Sequence, residues 1–150
     1  MARPGYEDMC RDMRTEIIRH TLWSVLLYQA LADRLGLSLK DALGGAALAL
    51  DGPRTPGALA RLLSVTTGGA VTGVADRLED AGLARRTRDP DDGRRVILEP
   101  VPENLAALLA HLDRAARLAA RTDGLSDDEL ALVLGWLREQ NTSAARHITG

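Results

Sequence analysis

Aromatic side chains are scarce in this chain of 150 residues, where they make up 3% and phenylalanine is absent. A core without them is built from leucine, alanine and valine, which favours packed helices and nearly excludes an all-β fold. The single cysteine, Cys10, excludes an internal disulfide and cannot hold zinc by itself. No apolar run reaches the roughly 20 residues of a membrane-spanning helix, so we expect no membrane partner.

Signals of catalysis and of secretion are also missing. The sequence contains no phosphate-binding Gly-x-x-x-x-Gly-Lys loop, no HExxH and no nucleophile elbow. His20, His111 and His147 are too far apart for a metal-ligand spacing. Glu7 and Asp8 stand where a signal peptide would be apolar. We therefore expect a cytoplasmic protein that is not an enzyme and needs no metal or cofactor.

What the chain has is the composition of one globular domain, with 45% hydrophobic and 27% charged residues. The net charge is −2, but its distribution is uneven. Residues 54–95 hold eight arginines against six acids, which leaves eleven of the 19 cations and fifteen of the 21 acids for the flanks. This basic centre between acidic flanks indicates that the middle of the chain meets a polyanion.

Helical periodicity and capping signals predict four helices outside the central segment, with approximate bounds 6–35, 38–50, 102–122 and 126–147. Gly36 ends the first helix, and Ser126 with Glu129 forms a capping box that opens the last. From Trp23 to Leu31 the first helix is apolar on most sides, which predicts that a partner covers it.

The central segment carries a different pattern. Thr55 followed by Pro56 opens a short helix, and after a tight connection Thr66 caps a fourth helix that runs to Ala81. Residues 83–88 and 94–99 read as two strands joined by a hairpin turn. The predicted fold is therefore mainly α with a small β-hairpin wing: a winged helix-turn-helix between N- and C-terminal helices.

The first two turns of the fourth helix are rich in hydroxylated and small residues, namely Thr66, Thr67, Gly68, Gly69, Thr72 and Gly73. A helix N-terminus carries positive dipole character, so these residues would let phosphates and base edges approach closely. Equally, the threonines would serve only as caps and the glycines only for close helix packing.

Arginines flank the hairpin turn. Arg88, Arg94 and Arg95 stand beside three aspartates, and an arginine on such a wing can enter a narrow minor groove. Because aspartate repels phosphate unless it is paired, Asp92 is predicted to pair with Arg94 or a neighbour and hold it in position. The alternative is a hairpin whose charges neutralise each other and that has no ligand.

The segment from Thr55 to Pro100 resembles the winged helix-turn-helix of the MarR (multiple antibiotic resistance regulator) family, and the helices on both sides match its layout. The most specific matches are residues 76–79 with 81–83, then 88–90, and the wing signature Asp92, Gly93, Arg94.

This resemblance implies a homodimeric, sequence-specific transcriptional regulator of double-stranded DNA with a palindromic operator, most simply a ligand-responsive repressor. Residues 6–36 and 102–148 would be dimerisation helices, and 54–100 the DNA-binding lobe. The predicted DNA contacts are Thr55, Thr66, Thr67, Gly69, Thr72, Gly73, Arg77, Arg88, Asp92, Arg94 and Arg95.

The resemblance also implies an effector site, and two functions other than a DNA-binding regulator are alternatives. A small aromatic or phenolic effector would lie against His20, Trp23 and Tyr28, although core packing is the alternative for Trp23. Many members carry arginine where this chain has Gly73 and Gly93, so a winged-helix protein-interaction module with weak DNA binding is one alternative. A redox sensor using Cys10 is the other; Arg11 and Arg14 favour its thiolate, whereas Glu7 and Asp8 oppose it.

Overall fold

The computed structural model describes residues 5–65, 68–119 and 122–149, and the chain divides into two units, Met1–Leu39 and Lys40–Gly150. The elements of the described residues, in chain order, are α1 (Tyr6–Arg34), α2 (Leu39–Asp51), α3 (Pro56–Leu62), α4 (Gly68–Asp80), β1 (Ala84–Arg88), β2 (Val96–Pro100), α5 (Pro102–Ala119) and α6 (Asp127–Thr149). The predicted fold class, mainly helical with one β-hairpin, is confirmed.

Three helices end in the same backbone arrangement. Gly36, Ser64 and Gly82 follow α1, α3 and α4 with φ of +68°, +53° and +68°. After α3, Ser64 N–H donates to the Arg61 carbonyl at 3.0 Å and Val65 N–H to the Ala60 carbonyl at 2.8 Å, the pair of bonds of a Schellman motif. This motif reverses the chain within a few residues and turns α3 towards α4.

Aliphatic side chains from five elements build the core of the second unit. The helical spacing of Val71, Val74, Ala75 and Leu78 predicts that they share the inward face of α4. Val74, Ala75 and Leu78 are at most 1% exposed, as expected of such a face. The largest fully buried side chains are Val74, Leu48, Leu59, Leu78, Leu98, Leu105 and Leu108. Leucine dominates this core, as the absence of phenylalanine requires.

Two adjacent glycines in the middle of α2 let neighbouring leucines approach its backbone. A Cβ atom on Gly45 would lie 3.1 Å from Leu105 Cδ2 and 3.2 Å from Leu108 Cδ2 and Leu83 Cδ1. A Cβ on Gly44 would lie 3.3 Å from Leu78 Cδ1. Glycine is required here by close packing and not by a turn, because neither residue has a positive φ.

The two strands pair antiparallel, with Arg86 opposite Leu98. Arg54, just before α3, adds a one-residue bridge on the other edge of β2: its N–H donates to the Leu98 carbonyl at 3.2 Å and its carbonyl accepts from Leu98 N–H at 2.8 Å. This bridge, which the sequence did not indicate, fixes the wing to the start of α3.

The strands are shorter than predicted. Leu83 lies outside β1, and Arg94 and Arg95 lie in the turn instead of in β2. The physical reason is that Asp92 takes both of their amides: its Oδ1 accepts from Arg94 N–H at 3.1 Å and its carbonyl accepts from Arg95 N–H at 2.9 Å. These amides are no longer available to the strand ladder.

The first unit is dominated by α1, of which Leu31 and Ala32 are the buried residues. Most of its large apolar side chains are exposed, including Ile18 at 71% and Trp23 at 63%. Every described residue from 122 to 148 is also exposed, which covers nearly all of α6. Among the residues described, no helix is long and apolar enough to cross a membrane.

Replacing Gly45 by alanine is expected to destabilise the protein by about 1–3 kcal/mol, because its new methyl group would overpack three leucines. Gly135→Ala is the matched control: a Cβ there has nothing within 4 Å, so the higher helix propensity of alanine should stabilise α6 by up to about 1 kcal/mol. Urea unfolding of both variants measures the two changes. Equal effects at the two sites would contradict the proposed packing role of Gly45.

The predicted capping box of α6 is confirmed and gives a titratable test. The Ser126 N–H and hydroxyl both donate to Glu129 Oε2 at 2.8 Å, and together they lower the pKa of Glu129 from its ordinary 4.5, the backbone bond most. A carboxylate whose pKa is lower in the folded state stabilises the fold above about pH 4.5, and loses this effect as pH falls through the lowered value.

Ser126→Ala is expected to raise the pKa of Glu129 part of the way back, because the hydroxyl donor is lost and the backbone donor remains. Carboxyl ¹³C NMR titration of the two proteins measures this pKa. The control Ser143→Ala changes an exposed serine of the same helix and should leave the pKa of Glu129 where it is. An unchanged pKa in Ser126→Ala would show that the hydroxyl bond is absent in solution.

Candidate nucleic-acid interface

The outward side of α4 is polar. Thr72, Asp76 and Arg77 are exposed and Gly73 is half-buried, while Gly69 belongs to the first turn. Thr66 and Thr67 lie outside the described residues. Because the inward side of α4 is packed in the core, this outward side is the one available to a ligand.

Thr55 has an observed structural role in addition to its predicted one. Its hydroxyl accepts the N–H of Ala58 at 3.2 Å, and Pro56 occupies the first turn of α3. The predicted capping function is confirmed, whereas a contact between Thr55 and DNA stays a prediction.

Arg77 is joined to a residue that the sequence did not mark as a partner. Its Nε donates to both carboxylate oxygens of Asp41, at 2.9 Å and 3.2 Å. Asp41, in the first turn of α2, is 5% exposed, whereas the Arg77 side chain is 51% exposed. The ion pair therefore links a buried charge below α4 with an exposed guanidinium on its surface.

Two acids on α4 share one arginine of β1. The Arg86 guanidinium donates to Asp76 Oδ1 at 2.6 Å and also bonds Glu79, whose carboxylate accepts the Arg86 backbone N–H at 2.9 Å. The pKa of Arg86 is raised, chiefly by its hydrogen bond to Asp76 and also by the charge of Glu79. Repulsion between these two acids and a polyanion is thereby reduced.

The aspartates of the wing organise its backbone. Asp89 Oδ1 accepts Asp91 N–H at 3.0 Å, and Asp92 Oδ1 accepts Arg94 N–H. The predicted ion pair between Asp92 and an arginine side chain is wrong, because the carboxylate is used by a main-chain amide two residues on. The turn is held in shape without engaging a guanidinium.

Four of the eight arginines between residues 54 and 95 have acidic partners, and four form no ion pair within the described part of the chain. The paired arginines are Arg54, Arg77, Arg85 and Arg86. The others are exposed: Arg61 on α3, and Arg88, Arg94 and Arg95 on the wing. The sequence analysis predicted the three wing residues as DNA contacts but not Arg61. The exposure of Arg61 could have been expected, because it directly follows Leu59 and Ala60, which are buried.

The residues considered for an effector or a thiol lie on α1. Trp23 is exposed, so it does not fill the core of the chain; His20 is exposed, with Nε2 3.4 Å from Ser24 Oγ, and Tyr28 is half-buried. Cys10 borders an open cavity of about 360 Å³. Its neighbour Arg11 pairs with Asp8 at 2.8 Å, which takes up one of the two cations expected to favour the thiolate.

Comparison with known proteins agrees with this geometry. Residues 46–95 match the profile of the MarR family. An uncharacterised HTH-type transcriptional regulator of Bacillus subtilis, YcgE, is 42% identical over 78 residues, which are 52% of this chain and 50% of that protein. The chain thus spans about half the length of this curated relative.

Solved structures extend the likeness to nearly the whole chain. The transcriptional regulator BldR of Sulfolobus solfataricus is 27% identical, with a TM-score of 0.55 over 93% of this chain and 99% of that one. A probable transcriptional regulator of Pseudomonas aeruginosa is 28% identical, with a TM-score of 0.54 over 87% and 98%. MarR of E. coli, at 21% identity and a TM-score of 0.59 over 83% and 93%, has the same fold.

A helix-turn-helix followed by an arginine-bearing hairpin defines the winged-helix class of transcriptional regulators, a class that binds DNA. Within that class, the segment 46–95 of this chain is similar to the MarR family.

Proposed function

We propose that the protein is a homodimer that binds a palindromic operator in double-stranded DNA and regulates transcription in the cytoplasm, as a repressor. The observation that carries the proposal is a contrast between two groups of arginines: those near α4 have acidic partners, whereas Arg88, Arg94 and Arg95 on the wing have none among the residues that the structure describes. An exposed arginine without an acidic partner is free to bind a phosphate or to enter a minor groove.

The shape of the lobe supports a division of labour. The outward side of α4, with Thr72 and Gly73, carries no long unpaired cation among the described residues and suits close approach in a major groove. The wing carries three exposed arginines that form no ion pair with any described residue. Residues 54–100 would therefore form the DNA-binding lobe, with Thr66, Thr67 and Gly69 at the start of the recognition helix.

Exposed apolar surface supports the homodimer. In α1, Ile18 and Leu22 are 71% and 56% exposed, and in α6 Leu132 and Leu137 are 75% and 42% exposed. Apolar side chains in such numbers on two long helices are unfavourable in water and typical of a subunit interface. Residues 6–36 and 102–148 are proposed to cover one another in a second copy of the chain.

A small aromatic or phenolic effector is proposed to act through α1, where Trp23 and His20 are accessible in the single chain. An effector acts only if it binds one arrangement of the two recognition helices better than the other. Release of bound DNA by members of a panel of small phenolic acids is the corresponding test. We also propose that the protein is not an enzyme.

The experiment that tests the proposal is selection of binding sites from a random duplex pool at physiological salt, with light scattering on the same sample. The expected result is a dimer that enriches a palindrome whose half-sites are about one helical turn apart. A dimer that enriches no sequence and binds duplex weakly at low salt would instead support a protein-interaction module. Release of DNA by peroxide, abolished in Cys10→Ser, would support a thiol sensor.

Arg94→Ala is expected to lower the affinity for the selected site by more than about tenfold and to leave the dimer intact, because a free wing cation is lost. Arg85→Ala is the matched control: it removes the same charge from the same hairpin, but Arg85 is already paired with Glu99 at 3.0 Å. Its affinity should fall less than about threefold. Fluorescence anisotropy measures both, and equal losses would exclude a special role of the wing tip.

A further inference from the structure

The ion pair between α2 and α4 has an unusual environment. Asp41 is the charged residue that the described chain buries, at 5% exposure. Removing a carboxylate from water is costly, and an apolar contact would hold two helices together at least as well. Stability alone therefore gives no reason for an acid at this position. Its two hydrogen bonds with Arg77 Nε, at 2.9 Å and 3.2 Å, point to a function in orienting that arginine.

The geometry leaves the outer end of Arg77 free for another acceptor. A guanidinium has five N–H groups, and the Nε–H is the one bonded to Asp41. The side chain is 51% exposed, so the terminal Nη groups lie at the surface of α4. With the inner nitrogen fixed and the plane of the group rigid, the directions of the Nη donors are fixed as well.

Gly73, one turn earlier, provides the space for this arrangement. A Cβ atom at residue 73 would lie 3.2 Å from Arg77 Nη1. The absence of a side chain at residue 73 thus leaves room for the guanidinium of Arg77. Gly73 stands where many members of the family carry an arginine. In this chain, the space left by the glycine is next to the guanidinium of Arg77.

We propose that Asp41 is a positioning residue for DNA binding, which holds the Arg77 guanidinium so that its Nη groups meet a phosphate of the duplex. The inference rests on the proposed function. Phosphate is favoured over a base edge because Arg77 lies in the last turn of α4, whereas residues near the N-terminus of a recognition helix reach the bases.

Asp41→Asn tests this proposal because a role in net charge and a role in positioning predict opposite changes in DNA affinity. The variant loses one negative charge, so attraction to a polyanion should increase if charge alone matters. If Asp41 orients Arg77, affinity for the selected site should fall about three- to tenfold, because the guanidinium loses its fixed direction. Asp51→Asn is the matched control, since it makes the same change in an exposed acid at the end of α2, paired with Arg54; its affinity should be unchanged or higher.

Two further variants separate positioning from general damage. In an Arg77→Ala background, which should itself lower the salt slope of binding by about one unit, Asp41→Asn should cause no additional loss. Gly73→Ala keeps the ion pair and favours the helix, but its methyl group displaces Nη1; its affinity should fall without a lower Tm. Because residue 73 is itself a proposed DNA contact, the same substitution is also made in the Arg77→Ala background, where it should cause no additional loss. The pair of variants keeps the test decisive if Asp41→Asn folds poorly.

The outcomes distinguish the proposal from the function on which it rests. Wild-type protein that binds no duplex overturns both before any variant is made. If the wild type binds, the positioning proposal is overturned by Asp41→Asn protein that binds as tightly or more tightly, or by an equal loss from Asp41→Asn with and without Arg77. It is also overturned if folded Gly73→Ala protein keeps full affinity.

Discussion

The winged-helix lobe depends on how closely α2 approaches its neighbours. Gly44 and Gly45 let leucines of α4, α5 and the α4–β1 connection reach the backbone of α2. The approach is so close that a Cβ atom on either glycine would lie 3.1–3.3 Å from the nearest leucine methyl carbon. That close approach also places Asp41, one turn earlier, beneath α4, where it bonds Arg77. The close packing at Gly44 and Gly45 and the bond that orients Arg77 thus both depend on the position of α2.

Although the net charge of the protein is −2, its arginines are paired unequally with acids. Arg86 pairs with both Asp76 and Glu79 of α4, and Arg85 pairs with Glu99 within the hairpin. On the wing, the carboxylates of Asp89 and Asp92 accept main-chain amides instead of forming ion pairs with Arg94 or Arg95. The guanidinium donors of these two arginines therefore remain available although acids are nearby in the sequence.

The sequence was sufficient for features that are local. Caps at Thr55 and Ser126, the stops at Gly36 and Gly82, and the inward side of α4 follow from residue types at short spacing, and the structure has them. The wing turn was predicted, but the bonding of Asp92 was not, because a side chain can choose between an arginine and a main-chain amide and only the backbone geometry decides.

Features that join distant residues could not be predicted. Asp41 and Arg77 are 36 residues apart, and Arg54 meets Leu98 across 44 positions, so nothing in the local pattern connects them. The same limit applies to the glycines of α2, which read as weak helix formers until Leu105 and Leu108 are placed against them.

Such long-range links also join the elements of the lobe to one another. Arg54 attaches the wing to α3, Arg86 attaches the wing to α4, and Asp41 attaches α4 to α2. Each link is polar and directional, so it adds a fixed relative orientation to the close packing of the leucine core. If the lobe binds DNA as proposed, it meets the duplex as one body, with guanidinium groups supplied by the wing and by Arg77 of α4.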